Sequence, residues 1–366
     1  MTIGTILGAL ARILPVVAFL LAITVVAELC ERAGVFDVVG HQVARQGRHR
    51  TWLVWLLFAG FAVVCTAVLS LDTTAVLLTP VGLALARQIG VRPRPFALTT
   101  LWVANTGSLL LPVSNLTNLL ALQRLQSEGV GHARYLRLAL GPGLVSIAVT
   151  LLLVALLHHR DLRSTYSIDP PAAPHDRVLL RIATGVCLLA GPGFAAGLEP
   201  WVVATVGAAV LAAATAWRHP AALRGLQLPW AMVAGFAVLT TVVAWAHQAG
   251  HLDPLVALAG SGGSTGDLLR VAGVTAVSAN VVNNLPAYLA LEPAGAGDPT
   301  RLMAVLVGAN VGPLVTPWAS LATLLWLQRC RSAGVRWRLG RLALAGAVCA
   351  VLAVAASAAT LGVLRG

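Results

Sequence analysis

Apolar runs recur along nearly the whole chain, and arginines, Gly/Pro pairs or short polar clusters separate them. Most of these runs reach the length of about 20 residues that a helix needs to cross a bilayer. Lipid leaves few alternatives to a helix, because the backbone polar groups of a spanning segment must be hydrogen bonded within it. The pattern therefore predicts an all-α integral membrane protein. The predicted helical segments are 13–30, 52–70, 74–90, 96–122, 135–158, 178–198, 201–217, 229–249, 268–291, 302–327 and 340–364.

Composition excludes the other broad classes of protein. Of the 366 residues, 58% are hydrophobic and 10% are charged. Soluble domains carry about 25% charged residues, and disordered chains need few apolar residues and many charges. The net charge of +12, to which 25 arginines contribute, would favour a nucleic-acid partner in a soluble protein. Here we interpret the arginines as a signal of membrane orientation and expect no nucleic acid.

No catalytic or metal site is predicted. Residues 262–266 match the G-x-S-x-G pattern, but no strand-like run precedes them, as the nucleophile elbow requires. The five cysteines form no C-x-x-C pair, and we interpret each as a small buried hydrophobic residue. A thiolate site for a soft metalloid would need two or three of them to converge. The cysteines are Cys30, Cys65, Cys187, Cys330 and Cys349.

A motif recurs at an offset of 205 residues. Residues 104–112 (ANTGSLLLP) match residues 309–317 (ANVGPLVTP) in Ala, Asn, Gly, Leu and Pro, and weaker landmarks upstream recur in the same order. We therefore predict a duplicated unit of about 140 residues. An odd number of crossings separates the two copies, so the second copy should be inverted. Inverted repeats are typical of secondary transporters, whose substrate sites lie near the bilayer midplane.

This reasoning divides the chain into four parts. With both hairpins re-entrant, the chain crosses about eight times and both chain ends are external. Eighteen of the 25 arginines then share one face, which the positive-inside rule assigns to the cytoplasm, and we expect the inner (plasma) membrane. The parts are a first inverted repeat, 1–160 (helix, re-entrant hairpin 52–90, broken helix 96–122, helix 135–158), a cytoplasmic linker, 161–177, two scaffold helices, 178–227, and a second inverted repeat, 228–366 (helix, hairpin 268–291, broken helix 302–327, helix 340–364).

Four clusters of Asn, Ser and Thr with Gly or Pro interrupt the apolar runs, as two symmetric pairs. Such interrupted helices can offer backbone carbonyls and helix termini to a ligand, whereas the alternative is that small polar residues only pack helices together. Asp72 is the one acid inside a cluster, so it should be paired, hydrated or used to carry a proton or cation; a buried structural hydrogen bond is the alternative. The candidate substrate- or ion-binding residues are Asp72, Thr73, Thr74, Asn105, Thr106, Ser114, Asn115, Asn118, Asn280, Asn283, Asn284, Asn310, Thr316 and Ser320.

The clusters resemble those of the arsenical pump membrane protein (arsenite permease) family of the ion transporter superfamily. The resemblance spans about Pro15 to Arg341 and is most specific in residues 72–80 (DTTAVLLTP), 113–118 (VSNLTN), 283–286 (NNLP) and 316–326 (TPWASLATLLW). In the related divalent anion:sodium symporters, hairpin tips and broken helices hold the substrate and sodium. The resemblance thus implies an elevator-like motion, a proton or sodium coupling ion, a homodimer and a soluble pump ATPase as partner.

The chain departs from that family pattern in two respects. Arsenite permeases usually carry an acid at the positions of Asn105 and Asn310, so Asp72 is the one carboxylate left for coupling. Two N-terminal helices typical of the family are also expected to be missing, and the first repeat has no counterpart of segments 178–198 and 201–217.

The expected function is efflux of arsenite or antimonite by alternating access. Hairpin tips around Asp72 and Asn283 would meet broken helices around Asn105 and Asn310. Neutral trivalent arsenic hydroxide carries hydroxyls that Asn, Ser and Thr can bind, and no buried arginine is available to clamp an anion. The alternative is a sodium- or proton-coupled permease for a dicarboxylate, sulfate or similar anion. A polytopic membrane enzyme and a non-transporting scaffold are remote alternatives.

Overall fold

The computed structural model describes residues 3–166, 176–196, 198–226, 228 and 230–365. These residues form α-helices joined by short turns and 3₁₀ segments, with no β-strand in the described ranges, which confirms the all-α prediction. Five helices in these ranges are long and apolar enough to cross a membrane: Thr51–Leu69, His132–Leu157, Arg177–Phe194, Pro200–Arg218 and Leu339–Leu364. The count of about eight crossings stays a prediction.

The helix bounds follow the predicted segments closely in both halves of the chain. Three short helices, α2, α8 and α12, lie outside the predicted segments, because they are too short or too polar to appear as long apolar runs. The helices before the linker are α1 (Ile3–Arg32), α2 (Val35–Gln46), α3 (Thr51–Leu69), α4 (Leu71–Gln88), α5 (Arg94–Thr106), α6 (Leu116–Ser127), α7 (His132–Leu157) and α8 (His159–Leu162). Those after it are α9 (Arg177–Ala195), α10 (Pro200–Arg218), α11 (Trp230–Gln248), α12 (Asp253–Ala259), α13 (Thr265–Val282), α14 (Asn284–Leu291), α15 (Pro299–Val311), α16 (Leu321–Ser332) and α17 (Leu339–Arg365).

Two helix pairs are joined by a single residue with positive φ. Ser70 (φ 90°, ψ 162°) joins α3 to α4 and is called the first bend. Asn283 (φ 119°, ψ 157°) joins α13 to α14 and is called the second bend. At the first bend, α3 and α4 fold back on each other. Phe58 on α3 and Gly82 on α4 are the same number of residues from Ser70 in the sequence, and a Cβ added at Gly82 would lie 2.6 Å from the ring of Phe58. This is the arrangement that a hairpin over 52–90 requires.

The last long helices of the two halves, α7 and α17, pack against each other in opposite directions. The Thr150 hydroxyl lies 3.8 Å from the thiol of Cys349, and the Ser357 hydroxyl donates to the carbonyl of Pro142 at 3.0 Å. Residues later in α7 therefore contact residues earlier in α17, as in an antiparallel pair. An inverted repeat requires this antiparallel relation between equivalent helices, so the packing supports that prediction.

The helices α5 and α15 lie in the core of the protein. Every residue from Pro95 to Thr106 and from Thr300 to Val311 is buried. A helix buried on all faces belongs to the interior of a bundle, away from lipid. The polar residues at the ends of these two helices are therefore enclosed by protein.

Candidate functional site

Two irregular segments interrupt the core helices where the sequence predicts broken helices. The first break, residues 107–115, lies between α5 and α6, and the second break, residues 312–320, lies between α15 and α16. At the first break the Asn118 amide donates to the carbonyls of Ser108 (2.6 Å) and Leu111 (3.0 Å). The Ser114 hydroxyl donates to the carbonyl of Ala67 (3.1 Å), which ties this break to the end of α3.

Asn280 on α13 holds the second break in place. Its amide nitrogen donates to the carbonyl of Gly312 at 2.9 Å, and its side-chain oxygen accepts from the backbone N–H groups of Val315 (3.2 Å) and Thr316 (3.1 Å). The Thr316 hydroxyl donates to the Asn280 carbonyl at 2.8 Å. These bonds replace the helical hydrogen bonds that the break removes.

Asn310 at the end of α15 connects the two broken helices. Its amide nitrogen donates to Oδ1 of Asn118 at 2.6 Å. Its Oδ1 accepts from Nδ2 of Asn115 at 2.9 Å and from the hydroxyl of Thr117 at 2.8 Å. The structure thus brings the predicted site residue Asn310 together with two others, Asn115 and Asn118, from which it lies 195 and 192 positions away in the sequence.

The second bend meets the second break, and the helix that follows the first bend approaches the start of α16, directly after that break. The Asn283 amide donates to the carbonyl of Trp318 at 2.8 Å, and the backbone N–H of Asn284 donates to the carbonyl of Ala319 at 2.8 Å. Asp72, two residues after the first bend, lies near the backbone N–H of Ala322 in the first turn of α16. The two bends and the second break therefore form one polar region.

Asp72 occupies the position of a helix cap on α16. The residue that precedes this helix, Ser320, makes no side-chain capping bond, and Ala322 is the second residue of the helix. A capping side chain usually binds the N–H of the second or third residue, and a carboxylate there also interacts favourably with the helix dipole. Asp72 in the first turn of α4 thus approaches the N-terminus of α16 from another helix, where the helix dipole favours a carboxylate.

Two buried polar atoms of the broken helices have no hydrogen-bond partner among the described residues, namely Oδ1 of Asn105 and Oγ of Ser320. The Asn105 amide nitrogen is satisfied by the carbonyl of Leu101 at 3.0 Å. Buried polar atoms in folded proteins nearly always have a partner, so these two are the atoms most available to a ligand or to water. Each belongs to one of the two broken helices.

Other predicted site residues are already engaged within the protein. Thr106 faces α7, where it receives a hydrogen bond from the Thr150 hydroxyl at 3.1 Å and donates to the carbonyl of Trp102 at 2.9 Å. The Thr74 hydroxyl donates to the carbonyl of Ser70 at 2.9 Å, and the Ser70 hydroxyl donates to that of Thr73 at 3.1 Å. Whether these residues bind a ligand stays a prediction.

The hydrogen-bond partners of the polar region, within the described ranges, include no arginine or histidine. Asp72 forms no ion pair with a described residue. The charge of a bound anion would therefore have no fixed positive partner here. A neutral ligand that presents hydroxyl groups fits this set of amides and hydroxyls.

Sequence reasoning missed Trp318 and the contact of Asp72 with α16. The indole nitrogen of Trp318 donates to the carbonyl of Asn280 at 2.9 Å, on the side of α13 that faces the second break. Trp318 lies inside the quoted motif 316–326, so the motif was its one signal in the sequence. The contact between Asp72 and Ala322 has no signal at all, because it joins distant segments.

Comparison with known proteins identifies the family. The family model described as "Citrate transporter" matches residues 1–300. The chain belongs to the citrate transporter family. Among relatives of this family member, the arsenical pump membrane protein of Yersinia enterocolitica is 30% identical over 85% of this chain and 77% of that protein. The arsenical pump membrane protein of Escherichia coli (strain K12) is 27% identical over the same shares.

A solved structure supports the fold of this citrate-transporter family member. The fold of this chain is similar to that of the YdaH transporter of Alcanivorax borkumensis, with a TM-score of 0.67 at 17% identity. The similarity covers 99% of this chain and 87% of that chain. At this identity the similarity concerns the fold alone. The family, the relatives and the apolar helices show that the chain is a multi-pass secondary membrane transporter, and they confirm the resemblance to arsenical pump membrane proteins.

Proposed function

We propose that the protein exports arsenite or antimonite across the inner membrane by alternating access. The observation that carries the proposal is the pair of buried atoms, Asn105 Oδ1 and Ser320 Oγ, that have no partner among the described residues. The hydrogen-bond partners of the polar region within the described ranges include no cationic side chain. Trivalent arsenic hydroxide is neutral and offers three hydroxyls that can donate to such acceptors. The names of the relatives agree with this substrate.

In this proposal, Asn105 and Ser320 accept hydrogen bonds from the substrate hydroxyls. Asn118, Asn280 and Asn310 hold the two breaks open around it, because their amides bond the backbone of the breaks and each other. Thr106 supports α5 against α7. The region then acts as a preformed site at the interruption of two helices, as in other secondary transporters.

Asp72 carries the coupling ion in this proposal. As a carboxylate it caps α16 through Ala322 and interacts favourably with the helix dipole. When a proton neutralises the carboxylate, this charge–dipole attraction is lost, and the first bend is held less firmly against α16. Binding of a proton, or of sodium in its place, would thereby bias the position of the first hairpin against the second break.

The orientation and partners complete the proposal. We place the arginine-rich loops in the cytoplasm, following the positive-inside rule. A homodimer and a soluble pump ATPase are the partners expected from the resemblance. Chemical cross-linking in native membranes tests the dimer, and co-purification with the ATPase of an arsenical pump tests the second partner.

A resistance assay tests the substrate. In a bacterium that lacks its own arsenite pump, expression of the wild-type protein should restore growth on arsenite. The double variant Asn105→Ala/Ser320→Ala should not restore it at equal membrane abundance, whereas Gln126→Ala on the exposed end of α6 should. Lack of rescue by well-expressed wild type would overturn arsenite efflux.

An anion of the citrate type is the second candidate, favoured by the name of the family model. It would need compensation of its charge by cations or by helix N-termini, since the described site residues contact no arginine. Uptake of labelled citrate and of arsenite into the same everted vesicles separates the two. Saturable citrate uptake without arsenite uptake would replace the first proposal by the second.

A further inference from the structure

Two cysteines that lie 157 positions apart in the chain meet inside the protein. Sγ of Cys30, near the end of α1, lies 3.4 Å from Sγ of Cys187 in the middle of α9. The Cys30 thiol also lies 3.9 Å from the carbonyl of Ala183, one turn earlier on α9. The sequence predicted only isolated hydrophobic cysteines, and the fold instead creates a pair of thiols.

A third cysteine lies close to this pair without joining it. Cys65 on α3 belongs to the same buried cluster as Cys30, and Cys187 packs against that cluster. One turn further, a Cβ added at Gly191 of α9 would lie 3.2 Å from Val68 of α3, so the two helices touch there. The described residues contain no group of three metal-binding side chains, so the pair is a two-thiol site.

We propose that Cys30 and Cys187 form a dithiol site that binds thiophilic trivalent arsenic or antimony, separate from the polar region around Asp72. Soft ions prefer sulfur ligands over oxygen and nitrogen. When two metal–sulfur bonds of about 2.3 Å form a sulfur–metal–sulfur angle slightly above a right angle, the two sulfur atoms lie about 3.4 Å apart. Pyramidal trivalent metalloids have such narrow angles, whereas linear two-coordinate ions hold their sulfurs farther apart.

The binding step exchanges ligands without oxidation or reduction. Each thiol gives up its proton to one hydroxyl of arsenic trihydroxide, an As–O bond breaks, an As–S bond forms and water leaves. Two thiols thus release two waters, and the third hydroxyl remains on arsenic. The bound metalloid would covalently link α1 to α9, which the weak hydrogen bonds of the Cys30 thiol already join at this point.

The pair lies near the end of α1 that carries Arg32, beside an apolar helix long enough to span the membrane, α9. Cys187 is partly exposed, whereas Cys30 is buried and lies two positions before Arg32. The Arg32 guanidinium binds the carbonyls of Ala222, Arg224 and Gly225, and Arg32 is among the arginines that orient toward the predicted cytoplasmic face. Cysteines on the cytoplasmic side stay reduced, which the binding step requires.

The test uses the purified protein in detergent and phenylarsine oxide, which forms bonds to two thiols. After washing with excess 2-mercaptoethanol, mass spectrometry should show one phenylarsine per wild-type chain, removable by 2,3-dimercaptopropanol. Cys30→Ser and Cys187→Ser should each weaken retention at least tenfold. Cys330→Ser and Cys349→Ser, which alter cysteines of the other buried cluster, should not.

A second measurement needs no variant. Wild-type protein treated with phenylarsine oxide and then with N-ethylmaleimide under denaturing conditions should show protection of Cys30 and Cys187 together, relative to Cys330 and Cys349. Equal alkylation of all these cysteines, or full retention of phenylarsine by well-folded Cys187→Ser, would overturn the dithiol site. Neither outcome depends on whether arsenite is the transported substrate.

Discussion

The amide nitrogen of Asn310 donates to Oδ1 of Asn118 at 2.6 Å, and this bond joins the two interrupted helices across the centre of the protein. Asn118 can accept it because its own amide nitrogen is turned toward the carbonyls of the first break, at Ser108 and Leu111. The orientation of each amide is thus fixed by the other. An acid in place of Asn310, as the resemblance leads one to expect, would not complete this network.

Asn310→Asp should therefore destabilise the protein. The new carboxylate has no N–H to donate, so it would lose the hydrogen bond to Oδ1 of Asn118 and would place two acceptor oxygens next to each other. A buried polar group left without its partner costs about 1–3 kcal/mol in folding free energy. We expect a lower unfolding temperature in detergent at neutral pH, measured by fluorescence. Gln126→Glu, the same change of chemistry on the exposed end of α6, is the control and should leave the unfolding temperature unchanged.

Asp72→Asn tests the coupling role of the one acid in the polar region. The amide keeps the size of the side chain but carries no charge to neutralise, so substrate transport in everted vesicles should lose its dependence on the proton or sodium gradient. Asp253→Asn, at the exposed first residue of α12, is the control and should keep the dependence. If Asp72→Asn remains fully coupled, Asp72 is only a cap for α16.

Local patterns predicted the helices and their interruptions well. The clusters that contain Asn105 with Gly107 and Asn310 with Gly312 predicted broken helices, and the two breaks begin at those glycines. The pairing of Asn310 with Asn118 and of Cys30 with Cys187 could not be predicted. Both join residues from helices that are distant in sequence, and only the packing of those helices decides which side chains meet.

The close approach of α13 and α15 yields a packing prediction. A Cβ added at Gly312 would lie 2.4 Å from the Cβ of Ala276, and one added at Gly308 would lie 2.3 Å from the carbonyl of Ala272. Such glycines let two backbones approach within a membrane. Gly312→Ala should force the helices apart beside Asn280 and cost about 1–3 kcal/mol.

The matched control for Gly312→Ala is Gly273→Ala on α13, where an added Cβ would meet nothing within 4 Å. It should keep or slightly raise the unfolding temperature, because alanine favours the helix more than glycine. Equal unfolding temperatures for the two variants would contradict the close packing of α13 against α15.

A pH-dependent contact connects α9 and α10. Asp176 accepts from the backbone N–H groups of Val178 (2.9 Å) and Leu179 (3.1 Å), and from Nε of Arg218 at 2.6 Å. The hydrogen bond from Arg218, followed by the bond from Leu179, holds the pKa of Asp176 well below its ordinary value. A lowered pKa in the folded state means that the ionised carboxylate stabilises the fold.

Asp176→Asn should therefore lower the unfolding temperature at neutral pH. The stabilisation by Asp176 is present above the ordinary aspartate pKa, near 3.9, and is lost as the pH falls toward the lower pKa of the folded state. The difference in unfolding temperature between wild type and Asp176→Asn should stay constant from neutral pH down to mild acid. At lower pH this difference should disappear. Glu199→Gln, at the other end of α10 and without a capping bond, should show no such difference.

The first bend holds Ser70 in a backbone conformation that glycine adopts far more readily, with φ 90° and ψ 162°. Residues other than glycine pay about 1–3 kcal/mol in such regions. Ser70→Gly should relieve that strain and raise the unfolding temperature, although it removes the hydrogen bond from the Ser70 hydroxyl to Thr73. Ser70→Ala loses the same hydrogen bond and keeps the strain, so it is the matched control.

The comparison of Ser70→Gly with Ser70→Ala also bears on transport. If strain at the first bend biases the hairpin between two positions, relief by glycine should change the transport rate, whereas alanine should change it little. Stability is read from the unfolding temperature in detergent and transport from everted vesicles at equal protein abundance. Because both variants lack the hydroxyl, a difference between them reports the backbone alone; identical unfolding temperatures would show that the first bend stores no strain.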